Sequence, residues 1–239
     1  MLNRRNFLNY LPATLFSLGS LSVLKSVAND KIAKNFTNSV DRFPANSESY
    51  QGLSPIETLM EGHGLLIRCY VLYDVMIDGI ENKKTIDPKW VLRTTNVIKD
   101  YLEGFHEKME EEYIFAPMEK AKVHYKSIQE LKMQHGVGFA ITDKIIELAK
   151  NDKLNQELCK NLKSFGQMYR YHSAWEDTII FPAFNDLENN KYMADLAATF
   201  DVEKRKILGT LGFDSFIKTV IDVEEEMKVF GLPHWTPTI

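Results

Sequence analysis

Six side chains of this chain, four His and two Glu, recur in a doubled pattern. His106 and Glu110 lie in the stretch HEKMEEEYIFAP, and His172 and Glu176 lie in HSAWEDTIIFP, 66 positions further on. Each stretch reads His, three residues, Glu, then a second acid (Glu111, Asp177), with a Phe and a Pro shortly after. A lone His precedes each stretch: His63 in GHG and His135 in HGVG. On a helix, residues four apart share a face, about 6 Å apart along the axis. Each His-x-x-x-Glu pair therefore aims a nitrogen and a carboxylate in one direction. One such pair is commonly a surface feature, and one buried His is commonly a hydrogen-bonded core residue. The doubled order, lone His then His-x-x-x-Glu, is what points to metal. Burying an unpaired carboxylate costs several kcal/mol, and a pair of divalent cations removes that cost. Nitrogen and carboxylate donors without Cys suit iron or manganese.

The elements that must carry these residues can be traced from caps and periodicity. Ser54, Pro55 and Glu57 form a helix start with a capping box. From there Ile56, Leu59, Met60, His63, Leu66, Ile67, Tyr70 and Asp74 step by three and four. Asp87 and Pro88 open a second helix with the stripe Val91, Thr95, Ile98, Leu102, His106, Glu110, which Pro117 is expected to stop. Ser127 to Glu130 offers another capping box, before the stripe Leu131, His135, Phe139, Thr142, Ile145, Ile146. The fourth stripe is Leu158, Leu162, Phe165, Tyr169, His172, Glu176, Ile179, which Pro182 is expected to end. Four helices of this length joined by short loops predict an all-α, up-down-up-down four-helix bundle over 54–185, made from one helical hairpin used twice. Antiparallel packing would then bring the four His to one height. Residues 191–208 and 213–229 predict two more amphipathic helices, a C-terminal helical extension (186–239) packed outside the bundle.

Other residues near the site carry weaker signals. Tyr169, one turn before His172, is a candidate to stand behind the ligand ring, beside its reading as a core aromatic. Glu103, Glu107 and Glu112 are expected on a solvated face, and His124 and His234 in exposed positions outside the stripes. Gly62, Gly64, Gly136 and Gly138 cluster beside the lone His residues, which implies close helix approach or a local kink. Helical rise puts Cys69 about 9 Å from the level of His63 and Cys159 about 20 Å from the level of His172. That mismatch exceeds disulfide reach, so two free thiols are expected.

The totals exclude several classes. The chain has 239 residues, 44% hydrophobic and 26% charged, with formal charge -4. Residues 1–28 hold Arg4, Arg5 and Lys25 and no acid, leaving 26 bases against 33 acids in the remainder. That leaves no basic field for nucleic acid. The opening MLNRRNFLNY, followed by LPATLFSLGSLSVL and a small-residue site ending at Ala28, reads as a signal peptide. Its NRRNFL resembles the twin-arginine export signal, with Asn3 where Ser or Thr is usual. The resemblance implies export, to the periplasm in a bacterium, as a folded and metal-loaded protein; an ordinary secretory signal or an uncleaved helix is the competing account. Residues 29–53 are polar and aperiodic, as a linker is. No other segment is apolar over the ~20 residues that a membrane span needs.

The set His63, His106-x-x-x-Glu110, His135, His172-x-x-x-Glu176, with the IFAP and IIFP endings, resembles the hemerythrin-like family, the HHE cation-binding domain. The resemblance implies a four-helix bundle holding two irons (manganese being possible), with the four His as terminal ligands and Glu110 and Glu176 as bridges. Two His and two carboxylate oxygens per iron would leave room for an oxo or hydroxo bridge and an exchangeable position. Oxygen-carrying members have a further His where Phe139 stands here, and use an Asp at the position of Asp177. Asp177 is therefore an alternative ligand, although Glu176 repeats the Glu110 spacing. The four-His, two-Glu set is closer to the repair-of-iron-centres proteins of the same family, without their Cys-containing N-terminal domain. The implied partner is a small ligand, O2, NO or peroxide, for sensing, scavenging or redox. Iron binding or delivery without turnover, and a metal-free helical interaction module, are the alternatives. The sequence shows no substrate pocket, so it leaves open whether the protein is an enzyme.

Overall fold

A computed structural model describes residues 52–209 and 212–238. The N-terminal export signal and nearly all of the polar linker lie outside the described residues. Every regular element among the described residues is helical. Helix α1 spans Pro55–Glu81, and its start has the expected capping box: Ser54 Oγ accepts from the Glu57 N–H and the Glu57 carboxylate accepts from the Ser54 N–H. Helix α2 begins at Pro88, capped by Asp87, and continues through the segments Pro88–Val97, Ile98–His106, Glu107–Met109, Glu110–Phe115 and Ala116–Ala121. Helix α3 is Tyr125–Lys150. Helix α4 runs through Gln156–Trp175, Glu176–Ile180 and Phe181–Leu187, with Asn155 as its cap. These four form the bundle, and α5 (Asn190–Leu208) and α6 (Gly212–Glu226) pack on it.

Several local expectations are corrected. Neither Pro117 nor Pro182 stops its helix. Each follows a π-helical stretch, Glu110–Phe115 in α2 and Glu176–Ile180 in α4, and the chain stays helical to Ala121 and Leu187. The Ala116 and Phe181 N–H groups bond five residues back, to the Glu111 and Glu176 carbonyls. The wider π turn opens the space that the proline ring would otherwise strike. Helix α3 starts two residues before Ser127. His124, in the left-handed region at φ 48°, precedes it without a side-chain cap, so Ser127 is already inside the first turn. Met60, Ile67 and Asp74 of α1 face outward, and so does Phe139 of α3. The buried face of α3 runs His135, Gly138, Thr142, Ile145, Ala149, one position out of phase with Phe139.

The core contains Leu59, Leu66, Tyr70, Phe105, Phe115, Ile145, Leu162, Phe165 and Phe181, all essentially without exposure. Each Leu, Ile and Phe among them contributes about 1.5–3 kcal/mol through burial. Both cysteines are free and buried, in agreement with the register argument. Helices α5 and α6 cover α1 and α2. Arg68 holds Glu224 through two hydrogen bonds of 2.9 and 2.6 Å, and Trp90 Nε1 donates to Glu226 at 2.9 Å. The rings of Phe213 and Phe216 lie 5.0 and 5.6 Å from Tyr101, whose own ring is 5.9 Å from His106. The extension thus backs the wall of the site on the α2 side. No described helix is long and apolar enough to cross a membrane.

Candidate metal centre

The six residues singled out in the sequence converge in the middle of the bundle. His63 comes from α1, His106 and Glu110 from α2, His135 from α3, and His172 and Glu176 from α4. Each is at most 3% exposed. The imidazoles meet in two pairs, His63 with His106 (Nε2 to Nε2, 3.1 Å) and His135 with His172 (3.2 Å). The carboxylates span the pairs. Glu110 places Oε1 at 2.9 Å from His106 Nε2 and Oε2 at 3.6 Å from His135 Nε2. Glu176 places Oε1 at 3.1 Å from His172 Nε2 and Oε2 at 3.4 Å from His63 Nε2. Two groups of ligand-type atoms, each within 4.8 Å, result: Glu110, His135, His172 and Glu176; and His63, His106 and Glu110.

Without cations the electrostatics of this cluster are mixed, and its carboxylates lack hydrogen bonds. Both carboxylate oxygens of Glu110 and both of Glu176 are buried without a hydrogen-bond partner, an arrangement that costs several kcal/mol when nothing compensates it. Burial first, and the Glu176 charge second, push the Glu110 carboxyl up to about 8. Glu176 goes the other way: burial alone would raise it, but the charges of the His172 and His63 rings hold it low. Burial opposes the charged form of His63, yet Asp177, Glu176 and Glu110 together raise it to about 10. His135 is raised to about 9, against its burial, by Glu111, Glu107, Glu110 and Glu176. Burial and the His63 charge push His106 well below its ordinary value. A set of converging nitrogens and partnerless carboxylate oxygens, closed to solvent, fits divalent cations.

The surroundings are ordered around the rings. Asp177 stands outside the convergent atoms, and its Oδ1 accepts from His63 Nδ1 at 2.8 Å. Glu111 accepts from His135 Nδ1 at 2.8 Å, and the Gln134 carbonyl oxygen from His172 Nδ1 at 2.9 Å. Tyr169 is fully buried, with its ring 5.1 Å from His172 and its hydroxyl donating to Glu107 at 2.6 Å. Glu107 corrects the expectation of a solvated face: it is 2% exposed, and burial pushes its carboxyl up to about 8. Glu103 is also mostly enclosed, between Lys99 and the Thr142 hydroxyl, and only Glu112 of the three is exposed. Nothing in the 3.6-residue count marks Glu107 as buried; its spacing from Tyr169 is tertiary. Two of the four glycines are tight approaches. A Cβ on Gly62 would lie 2.5 Å from the Tyr101 hydroxyl and 2.7 Å from His106 Nδ1, and one on Gly138 would collide with the Tyr169 hydroxyl. Gly64 and Gly136 face open space, and His124 and His234 are exposed, as expected.

An all-α bundle with a buried His/Glu cluster at its centre defines a metal-binding, helical-bundle protein. The chain belongs to the hemerythrin HHE cation-binding domain family, whose model matches residues 54–184. Uncharacterized proteins of Mycobacterium bovis and Mycobacterium tuberculosis are 27% identical to it over 187 residues, covering 76% of this chain and 73% of theirs. No solved structure matches the chain.

Proposed function

We propose that this is a non-haem two-iron protein of the hemerythrin type that binds or reacts with a small ligand (O2, NO or peroxide) in sensing, scavenging or redox. His63 and His106 would hold one cation, and His135 and His172 the other. Glu110 and Glu176 would each bridge the two. The observation that carries the reading is the crosswise reach of the carboxylates, each with one oxygen at one His pair and the other oxygen at the second pair. A bound iron pair supplies reversible one-electron steps and a coordination position for a small molecule. The chain's part is to fix the donor set and exclude water. The phenylalanines and tyrosines around the cluster do the second.

The N-terminal NRRNFL stretch supports export in the folded state, with a periplasmic location in a bacterium. Cell fractionation of the full chain, with and without Arg4 and Arg5 replaced by Lys, tests this: the variant should remain in the cytoplasm. Elemental analysis of purified protein, with visible spectra before and after azide or NO, tests the centre. About two irons per chain and a new band on ligand addition are expected. Iron that leaves readily to a mild chelator, with no ligand band, would favour iron delivery. A protein without iron, manganese or zinc would overturn the proposal in favour of a metal-free interaction bundle.

A further inference from the structure

The tail of each repeated stretch has a use that the six ligand residues do not exhaust. After the Glu comes an acid, and four residues after the acid comes a Phe: Glu111 and Phe115 in α2, Asp177 and Phe181 in α4. In the fold each acid–Phe pair grips one imidazole, and always the lone His of the other hairpin. Asp177 accepts from His63 Nδ1 at 2.8 Å while Phe181 stacks on the same ring, centroids 5.8 Å apart and planes at 10°. Glu111 accepts from His135 Nδ1 at 2.8 Å while Phe115 stacks on it at 5.9 Å and 17°. The two grips are equivalent, and they tie the hairpins together crosswise. The other two rings are held differently. His172 Nδ1 meets a neutral amide, Gln134, and His106 Nδ1 has no partner.

We propose that Asp177 with Phe181, and Glu111 with Phe115, are positioning clamps that lock the rings of His63 and His135 with Nε2 turned into the cation site. Four residues is close to one helical turn, so acid and Phe reach the same target from one helix face. The carboxylate fixes the ring proton on Nδ1, which leaves the Nε2 lone pair for metal and raises its donor strength. The aromatic face removes the remaining freedom, ring rotation. Asp177 thereby serves the centre through His63 rather than by ligation. This inference rests on the function proposed above.

The test uses Asp177→Asn and Glu111→Gln, each isosteric with the native residue and lacking only the charge. Ferrous iron affinity is measured anaerobically by competition with a chelator. In parallel, ring N–H signals of the metal-free, 15N-histidine-labelled protein are recorded. Loss of an outer partner of this kind typically weakens metal binding 10–100-fold, and that loss is expected in each variant, at one of the two cations. In the metal-free protein, the downfield His63 Nδ1–H signal should move upfield in Asp177→Asn alone, and the His135 signal in Glu111→Gln alone. A role in packing would leave both isosteric variants like wild type. Iron affinities within twofold of wild type in both variants, or ring signals that do not move, overturn the proposal. A wild-type protein that takes up no iron sinks the proposed function instead, and the ring signals then decide the clamp by themselves.

Discussion

Glu110→Gln should stabilise the metal-free protein and destabilise the iron-loaded one. The side chain is fully buried, its two oxygens have no hydrogen-bond partner, and its carboxyl is pushed from 4.5 up to about 8. Between those values the folded state keeps a proton that the unfolded chain has released. Stability of the metal-free protein therefore falls as pH rises through this window. At pH 7 the loss attributable to this one group is on the order of 3 kcal/mol. Gln resembles the protonated acid in shape and carries no charge, so it removes that loss. For a domain of this size about 1 kcal/mol corresponds to roughly 2–4 °C, which gives a rise of about 6–12 °C in Tm after chelator treatment at pH 7. The gain should shrink towards zero at pH 4.5. In the iron-loaded protein the sign reverses, because a neutral amide is a poor bridge between cations. Bound iron should fall from about two per chain to one or fewer. At a thousandfold excess over Kd, each lost cation takes away about 4 kcal/mol of linkage stabilisation. The assay is a thermal melt of both proteins, with and without iron, at two pH values, beside an iron determination. A metal-free variant that melts with or below wild type would refute the burial cost assigned to Glu110, and a loaded variant that retains two irons would refute its role as a bridge.

Other outcomes follow from the same geometry. Gly138→Ala drives a methyl group into the Tyr169 hydroxyl and should cost about 1–3 kcal/mol by overpacking, read as a lower midpoint in urea, whereas Gly136→Ala, which meets open space, should be neutral or stabilising. Tyr169→Phe leaves the buried Glu107 side chain without its donor and should cost about 1–3 kcal/mol, and the loss should disappear when the same change is made in a Glu107→Leu background, which has no acceptor, if the hydrogen bond is its cause. In the metal-free protein His63 is raised from 6.5 to about 10; the stabilisation it provides is complete below pH 6.5 and is lost as pH rises to 10, which His63→Gln should abolish in a pH series of melts. The Cys69 thiol is buried and pushed up to about 12, so a thiol reagent at pH 8 should leave it unmodified until denaturant is added; rapid labelling of the native protein would contradict its placement.

The sequence by itself determined which six His and Glu side chains converge and how each pair is oriented on its helix. His-x-x-x-Glu needs only the backbone geometry of one helix, so His106 with Glu110 and His172 with Glu176 were legible without a fold, as were the Ser54 and Asp87 starts. The doubled order also implied a repeated hairpin and hence a common level for His63 and His135. Contacts between helices depend on how each is rotated about its own axis, and local spacing does not set that angle. The π turns in α2 and α4 add to the difficulty, since each holds more residues per turn than a 3.6-residue count allows and moves later residues out of phase. Only the tertiary structure therefore decided that Asp177 bonds His63 and Glu111 bonds His135, that Glu107 turns inward to Tyr169, and that Phe139 turns out while Gly138 makes room. The prolines belong to the same lesson: Pro117 and Pro182 end a regular α-helix by local rule, but each follows a π turn that makes room for its ring, and the chain stays helical past them.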